Sequence, residues 1–333
     1  MPKVFKIIFF IFLTLIVGIF VFLFVGKATP AENITWGVVF SQKHAELLGL
    51  DWKANYLAIL DDLQIKDLKL IAYWDLIEKE PGVFDFTDLD WQIEEAEKGG
   101  AEVLLVIGKK VPRWPECHIP DWAKSMGEEE LEESILLYLE QLILKYRDYP
   151  AIKMWQVENE PFFPFGENCP LITEEFLDKE VGLVRALDYN KRPIVISESG
   201  EFPFWFKAAR HGDIVGHTLY RVVWASGFKI YFRPPFPAIF YNRKSWLIDK
   251  FFDKKVICVE LQAEPWGPTL LYDSPLEEQE KSVNFQKLKG IIQFAKNTGT
   301  DTFYFWGSEW WYWMKEKQNQ PEIWDEIKNL LLQ

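Results

Sequence analysis

The sequence has little of several features that define common classes of protein. Its 333 residues include only three cysteines, too few for a disulfide-built scaffold, and 37 basic residues stand against 50 acidic ones, for a net charge of −13. The acidic balance argues against nucleic acid as a partner and suits a neutral substrate better than a polyanion. No glycine-rich phosphate fingerprint opens a predicted helix, which argues against dinucleotide binding. His44 and His118 have no metal-ligand spacing around them, so no metal is expected.

One long hydrophobic run stands at the amino terminus. Twenty residues from Ile7 to Gly26 carry no charge, and Lys3, Lys6 and Lys27 flank them. This length spans a bilayer, so we expect residues 1–27 to form a membrane anchor, with residues 28–333 on the extracytoplasmic side by the positive-inside tendency. A long signal peptide, cleaved to leave a secreted protein, is the alternative.

Beyond residue 27 the chain alternates short apolar runs with longer amphipathic stretches, without a linker or a repeat. The apolar runs predict eight strands: Thr35 to Phe40, Leu68 to Tyr73, Val103 to Ile107, Ile152 to Val157, Ile194 to Ser197, Ile214 to Leu219, Val256 to Glu260 and Thr302 to Trp306. The amphipathic stretches predict helices: Ala54 to Leu63, Thr87 to Lys98, Glu128 to Tyr146, Thr173 to Asp188, Ser245 to Phe252, Leu276 to Asn297 and Ile323 to Leu332. "FWFKAAR" is the only helical candidate after the fifth strand.

Strands that alternate with helices pair in parallel through crossovers. Eight such units in about 300 residues favour a (β/α)8 TIM barrel over an open doubly wound sheet. The predicted architecture is therefore an α/β barrel domain over residues 28–333, preceded by one transmembrane helix.

The predicted strands end in polar residues, at the edge where such barrels carry their chemistry. The fourth strand runs into Glu158, Asn159 and Glu160, and the seventh ends at Glu260. Hydrolysis of an acetal at neutral pH needs one carboxylic acid to protonate the leaving oxygen and one carboxylate to attack or support the cationic carbon. Neither role requires a metal or a cofactor.

The segments "WQVENEP" and "VICVELQAEPW" resemble the fourth- and seventh-strand signatures of clan A glycoside hydrolases. Three further segments, "LIAYWDLIEKEPGVFDFTDLDWQIEEAEKGG", "DIVGHTLY" and "FYFWGSEWW", are similar to the second-, sixth- and eighth-strand regions of that clan, and "LLVIGKKVPRWPE" to its third. The resemblance covers residues 34–332. "KLIAYW" contains no arginine to match the one that some clan members place at the second strand.

The resemblance implies a retaining glycosidase that acts on a β-linked oligo- or polysaccharide. It assigns Glu160 as acid and base and Glu260 as nucleophile. Glu260 is preferred to Glu264, Glu198 and Glu309 because it directly ends the apolar run "VICV", whereas Glu264 lies four residues farther into the loop. It also implies that Asn159 binds the sugar hydroxyl beside the reacting carbon, that the Tyr220 hydroxyl positions the nucleophile and that Trp306 forms the floor of the sugar subsite. A carbohydrate-binding barrel without turnover and a transglycosylase are the alternative functions.

Several residues keep two interpretations. Glu264 is a sugar-hydroxyl acceptor or a solvated loop charge, and at least one of Trp74, Trp114 and Trp266 should line the groove. In a strand, Glu158 points to the same face as Glu160, where it is either structural or perturbs the proton affinity of Glu160. Cys117 and Cys169 are either bridged or two separate loop thiols; Cys258 is expected in the core.

Overall fold

The computed structural model describes residues 3–332 and contains a closed barrel of eight parallel strands. The barrel strands are β1 Thr35–Val39, β2 Asp67–Ile71, β3 Glu102–Ile107, β4 Ile152–Val157, β5 Ile194–Glu198, β6 Ile214–Leu219, β9 Lys255–Gln262 and β10 Thr302–Trp306. Strand β10 pairs in parallel with β1, Thr35 facing Thr302, and this pairing closes the ring. A two-stranded antiparallel hairpin, β7 Val223–Ala225 and β8 Ile230–Phe232, follows β6.

Helices follow the strands and surround the barrel. They are α1 Lys3–Phe24, α2 Gln42–Leu47, α3 Trp52–Asp61, α4 Trp74–Ile77, α5 Thr87–Lys98, α6 Glu128–Tyr146, α7 Glu174–Leu187, α8 Phe206–His211, α9 Ala238–Phe252, α10 Leu276–Gln279, α11 Phe285–Lys296, α12 Ser308–Gln318 and α13 Glu322–Leu331. Short 3₁₀ turns cover Asp121–Ala123 and Leu271–Asp273.

The predicted TIM barrel is confirmed, and all eight predicted strands are present within one or two residues of their expected ends. The predicted helix from Leu276 to Asn297 is wrong as a single element, because it is divided into α10 and α11. Asn284 begins α11 as its N-cap, with its side-chain oxygen accepting a hydrogen bond from the Lys287 amide at 3.0 Å. Helix α9 begins seven residues earlier than predicted, at Ala238.

The strands build two apolar layers because successive side chains point to opposite faces of the sheet. On β3, Val103 and Leu105 pack outward in the large core between the strands and the helices. Leu104 and Val106 belong to a smaller cluster with Val195 and other inward-facing side chains of the barrel. Side chains at the carboxyl ends of the strands therefore lie above a packed barrel interior.

Helix α1 is long and apolar enough to cross a membrane by length and composition, a test that a signal sequence also passes. Of the α1 side chains that the structure describes, most are exposed, and those of the last turn pack on the barrel domain. There Leu23 is buried, Phe22 lies 5.6 Å from Trp246 and Phe24 lies 5.4 Å from Phe240, measured between ring centroids. The helix is thus joined to α9 through its last turn.

A disulfide joins Cys117 to Cys169, so the bridged interpretation of these residues is correct. The two cysteines lie 52 positions apart, in the loops after β3 and β4, with their Cα atoms 5.3 Å apart. Cys258 is a buried free thiol on β9, in the core as expected. The bridge ties together two loops that carry polar residues at the carboxyl ends of the strands.

Replacing both Cys117 and Cys169 with alanine is expected to lower the free energy of unfolding by about 2–4 kcal/mol, because the open chain regains the entropy that the closed loop removes. Calorimetric melting of the oxidised wild type and the double variant measures the change. A thiol reductant should lower the melting temperature of the wild type and leave that of the variant unaltered. Equal melting temperatures before reduction would contradict this expectation.

Candidate active site

Glu260 lies near the carboxyl end of β9 and is only 3% exposed. Its carboxylate has two partners from different strands. The Lys69 ammonium on β2 donates to Oε1 at 3.0 Å, and the Tyr220 hydroxyl, just past β6, donates to Oε2 at 2.9 Å. Both oxygens of Glu260 are therefore fixed in direction, one of them by a fully buried cation.

Glu160 lies three residues past the end of β4 and is 8% exposed. Its backbone amide donates to the Ser197 hydroxyl at 2.9 Å, and its Oε1 accepts from the Thr218 hydroxyl at 3.1 Å. Thr218 is also the neighbour of Glu260 in the register of β6 with β9. Since paired strands lie about 4.8 Å apart, Thr218 connects the two glutamates across the mouth of the barrel.

The two glutamates have different electrostatic surroundings. Burial, followed by the negative charge of Glu260, raises the pKa of Glu160 to about 8. Glu260 in contrast has the ammonium of Lys69 in direct contact. Glu160 is thus placed to hold a proton at neutral pH beside a carboxylate held by a cation and a phenol, which is the separation of roles that a paired acid and nucleophile need.

Asn159 joins this group through both ends of its amide. Its Oδ1 accepts from Gln156 Nε2 at 3.2 Å, and its Nδ2 donates to Oε2 of Glu116 at 3.1 Å. Glu116 comes from the loop after β3 and is 6% exposed. Burial, then the charges of Glu260 and Glu160, raises the pKa of Glu116 to about 8. The site therefore holds a third carboxyl group that interacts with the other two.

Glu158 does not share a strand face with Glu160, so that expectation is wrong. Strand β4 ends at Val157, and both glutamates have left-handed backbone, with φ of 59° at Glu158 and 44° at Glu160. The Glu158 carboxylate instead accepts the backbone amides of Lys109 and Lys110, at 3.0 and 2.6 Å. This arrangement fits the structural interpretation, because it fastens the end of β4 to the turn after β3.

Arg113, in the same loop as Glu116, forms an ion pair with Glu264 and a second with Glu309 at 2.8 Å. Burial opposes ionisation of Glu264, but the charges of Arg113 and His44, together with hydrogen bonds from both side chains, outweigh it and lower the pKa of Glu264 to about 2. The interpretation of Glu264 as a solvated loop charge is therefore wrong. The guanidinium also lies 3.8 Å above the centre of the Trp306 ring, so one face of this indole is covered.

The other two candidates for the nucleophile, Glu309 and Glu198, already accept hydrogen bonds from other groups. Glu309 is buried and also accepts the backbone amide of Ser41, and Glu198 accepts the amide of Ala208 at 2.8 Å. After burial, the negative charge of Glu260 and, more weakly, that of Glu201 raise the pKa of Glu160. Among these glutamates, Glu260 has the strongest electrostatic link to Glu160.

Trp114 lies at the rim, 44% exposed, rather than beside the paired glutamates. A row of aromatic rings leads inward from it: Phe165 at 6.0 Å, then Trp266 at 5.6 Å from Phe165, then Tyr220 at 5.3 Å from Trp266. Trp74 in contrast is fully buried against Tyr138 and belongs to the core. Trp114 and Trp266 therefore belong to a row of aromatic contacts that runs from the surface to Tyr220, a partner of Glu260.

Sequence reasoning missed Lys69, Arg113, Glu116 and Thr218. Lys69 had the clearest signal, because it is a lysine inside the otherwise apolar run "LKLIAYW", where a buried cation needs an anionic partner. It contacts Glu260 from the second strand, the strand in which some clan members carry an arginine. Among the described residues, no group of three or more histidine, cysteine, aspartate or glutamate side chains could hold a metal ion.

With Glu260 as the nucleophile that the resemblance implies, replacing Lys69 with methionine is expected to lower kcat about 10²-fold, because Glu260 would lose one of the two bonds that aim it and a small misplacement of a reacting group costs about this much. Glycosidase kinetics on an aryl glycoside measure the effect. Lys66→Met, an exposed lysine just before the same strand, is the matched control and should retain normal kcat. A Lys69→Met enzyme with unchanged kcat would show that Tyr220 alone positions Glu260.

Comparison with solved structures finds the same barrel in several glycoside hydrolases. The chain is similar to a β-galactosidase from Halorubrum lacusprofundi, with 16% identity and a TM-score of 0.55 over 82% of this chain and 52% of the other. An exo-β-1,4-mannosidase from Opitutaceae bacterium strain TAV5 gives 13% identity and 0.59 over 84% and 53%. Xylanase 10B from Thermotoga petrophila RKU-1, in complex with xylobiose, gives 16% identity and 0.53 over 85% and 86%.

These similarities establish the fold, which agrees with the barrel that the resemblance implies. No protein-family profile matches the sequence, and no curated protein sequence matches it. The chain spans about half the length of the galactosidase and of the mannosidase. The activity of this chain is therefore inferred from the geometry of its own site.

Proposed function

We propose that this chain is a retaining glycosidase that hydrolyses β-linked oligo- or polysaccharides through Glu160 and Glu260. One observation carries the proposal: two buried carboxyl groups at the mouth of the barrel have opposite surroundings, Glu260 bound by Lys69 and Tyr220, and Glu160 with its pKa raised to about 8 beside it. The similarity to a galactosidase, a mannosidase and a xylanase supports this proposal.

In the first step, a Glu260 oxygen attacks the anomeric carbon of the sugar while the bond from that carbon to the leaving oxygen breaks. Glu160 gives its proton to the leaving oxygen, and the product is an ester between the sugar and Glu260. The ammonium of Lys69 and the hydroxyl of Tyr220 hold the attacking carboxylate in place. Asn159, the residue before Glu160, binds the hydroxyl on the neighbouring carbon.

In the second step, a water molecule attacks the same carbon and the ester bond to Glu260 breaks. Formation of the ester has removed the negative charge of Glu260, so the pKa of Glu160 falls and Glu160 accepts the proton of the water. The sugar leaves with its original anomeric configuration, because two displacements invert it twice. Both carboxyl groups return to their starting protonation states.

Aromatic side chains near the site suit a sugar chain. A cavity of about 490 Å³ is lined by Phe162 and Phe163, which follow Glu160, together with Phe202 and Phe204. Trp114 and Trp266 belong to a separate row of aromatic rings that reaches Tyr220. Flat apolar rings stack on the faces of sugars, so these surfaces extend binding beyond the reacting residue.

For the cellular location, we propose a membrane-anchored protein with its barrel on the extracytoplasmic side. Helix α1 is of membrane-spanning length, and the bridge between Cys117 and Cys169 suits an oxidising compartment. Separation of membranes from soluble proteins, followed by digestion of the barrel by protease added outside intact cells, tests this location. A barrel found only in the medium would instead support a cleaved leader.

Covalent trapping tests the proposed reaction. The full chain is incubated with a set of 2-deoxy-2-fluoro-β-glycosides that have activated leaving groups, and the labelled peptide is sequenced by mass spectrometry. We expect the label on Glu260, with loss of activity in proportion to labelling. The sugar that labels fastest identifies the substrate configuration.

The outcomes separate the alternatives. A barrel that only binds carbohydrate would release no aryl group and take no label. A transglycosylase would be labelled at Glu260 and would give elongated products when an acceptor sugar is added. Labelling of Glu264 or Glu309 in place of Glu260 would overturn the assignment of the nucleophile.

A further inference from the structure

Glu116 is an acidic residue inside the site for which the two-step reaction has no use. Its backbone φ is 75°, its amide donates to the Arg113 carbonyl at 2.7 Å and its carbonyl accepts from Val111 at 2.9 Å. The next residue, Cys117, is fixed by the disulfide. The carboxyl group is therefore held in place by its own loop.

The contact with Asn159 places Glu116 relative to a bound sugar. Asn159 is the residue proposed to bind the substituent on C2, and its Nδ2 donates to Oε2 of Glu116 at 3.1 Å. Glu260, which bonds to C1 in the first step, acts on Glu116 more strongly than any other charge. A carboxyl group that is bonded to Asn159 and feels the charge of Glu260 borders the substituent at C2.

The described residues give Glu116 no cationic hydrogen-bond partner. The ammonium of Lys69 is bound to Glu260, the guanidinium of Arg113 is bound to other carboxylates, and the ammonium of Lys110 donates to backbone carbonyl oxygens. Burial and the charges of Glu260 and Glu160 raise the pKa of Glu116 to about 8 against the weaker, opposite effect of Lys110, so Glu116 holds a proton at neutral pH in the free site. An ammonium group in the substrate would lower that pKa and hold Glu116 as its carboxylate. A hydroxyl in the same place would supply one neutral hydrogen bond.

We propose that Glu116 selects the substituent at C2 and that the substrate is a 2-amino-2-deoxy-β-hexoside, bound as its ammonium form. This inference rests on the proposed glycosidase function and names the class of sugar. The ammonium donates to the Glu116 carboxylate in a charge-assisted hydrogen bond. An N-acetylated amine lacks the charge and is bulkier, so the site disfavours it.

Matched sets of three aryl β-glycosides test the proposal. Nitrophenyl β-glucosides and β-galactosides, each with a hydroxyl, an amino or an acetamido group at C2, are assayed at pH 7 with the full chain. For the sugar that the enzyme hydrolyses, we expect kcat/KM of the amino glycoside to exceed that of the hydroxyl glycoside by about 10- to 100-fold, the scale of a hydrogen bond to a charged group.

Two variants separate selection from general damage. Glu116→Gln should lower the ratio of kcat/KM for the amino substrate to kcat/KM for the hydroxyl substrate by about 10- to 100-fold. Glu167→Gln, at an exposed glutamate of the loop after β4, should leave both rates unaltered. A wild type that prefers the hydroxyl member, or a Glu116→Gln enzyme that loses both activities equally, would overturn the proposal while the glycosidase function stood. Failure to hydrolyse any member of the panel, together with failure to take the covalent label, would overturn both.

Discussion

Replacing Glu260 with glutamine is expected to lower kcat by about 10⁴-fold or more, as deletion of a catalytic nucleophile does in other enzymes. The amide preserves the shape of the side chain and its bond from Tyr220, but it cannot form the ester with the sugar. Steady-state hydrolysis of an activated aryl glycoside measures the loss, and a melting curve shows whether the fold is retained. Glu167→Gln, at the exposed loop glutamate, is the matched control and should keep full activity.

A small nucleophile should restore the reaction in a shortened variant. In Glu260→Ala, azide can enter the space left by the carboxylate and attack the anomeric carbon once, so the product is a glycosyl azide with inverted configuration. The anomeric proton signal in an NMR spectrum gives that configuration. Wild-type activity in either variant, or an azide product with retained configuration, would exclude Glu260 as the nucleophile.

Replacing Glu160 with glutamine is expected to give the second-largest effect, a fall in kcat of about 10²- to 10⁴-fold on substrates whose leaving groups need a proton. Glu160 acts first as an acid, so the active form is the protonated one. The kcat/KM of the wild type should therefore fall as pH rises through about 8, the pKa of Glu160 in the free protein. The variant should lack this alkaline limb.

The measurement is a pH series of kcat/KM for both enzymes on two aryl glycosides with leaving groups of different basicity. The variant should lose more activity on the substrate with the more basic leaving group, because the less basic leaving group departs without protonation. An alkaline limb that persists in Glu160→Gln with unchanged pKa would assign it to another group, and Glu116, with its similarly raised pKa, would be the first to examine.

The fold could be predicted because buried parallel strands leave a strong pattern. Each barrel strand is a short apolar run between polar turns, as in "EVLLVI" of β3, and the eight runs alternate with helical stretches. The hairpin of β7 and β8 was missed because its strands are three residues long and partly exposed, so they show no such run. Helix α12 was missed because its aromatic run "WWYW" follows that of β10 after only three residues, Gly307 to Glu309.

The site could be predicted only in part, for a different reason. Glu160 and Glu260 stand where apolar strands end, and this position is visible in the sequence. Their partners are set by closure of the barrel: Lys69 meets Glu260 from 191 positions away, and Thr218 meets Glu160 from 58. Arg113 and Glu116 lie in a loop whose path depends on the bridge at Cys117. Local patterns carry no information on such pairings.

Gly108 and Glu158 should change together over evolution. Gly108 has a backbone φ of 121°, and a Cβ atom there would lie 2.5 Å from Cδ of Glu158. A larger residue at 108 would displace the glutamate that caps the turn after β3, while loss of that glutamate would leave two backbone amides without their acceptor. Homologues with this arrangement at the end of the barrel should therefore keep both residues or replace both.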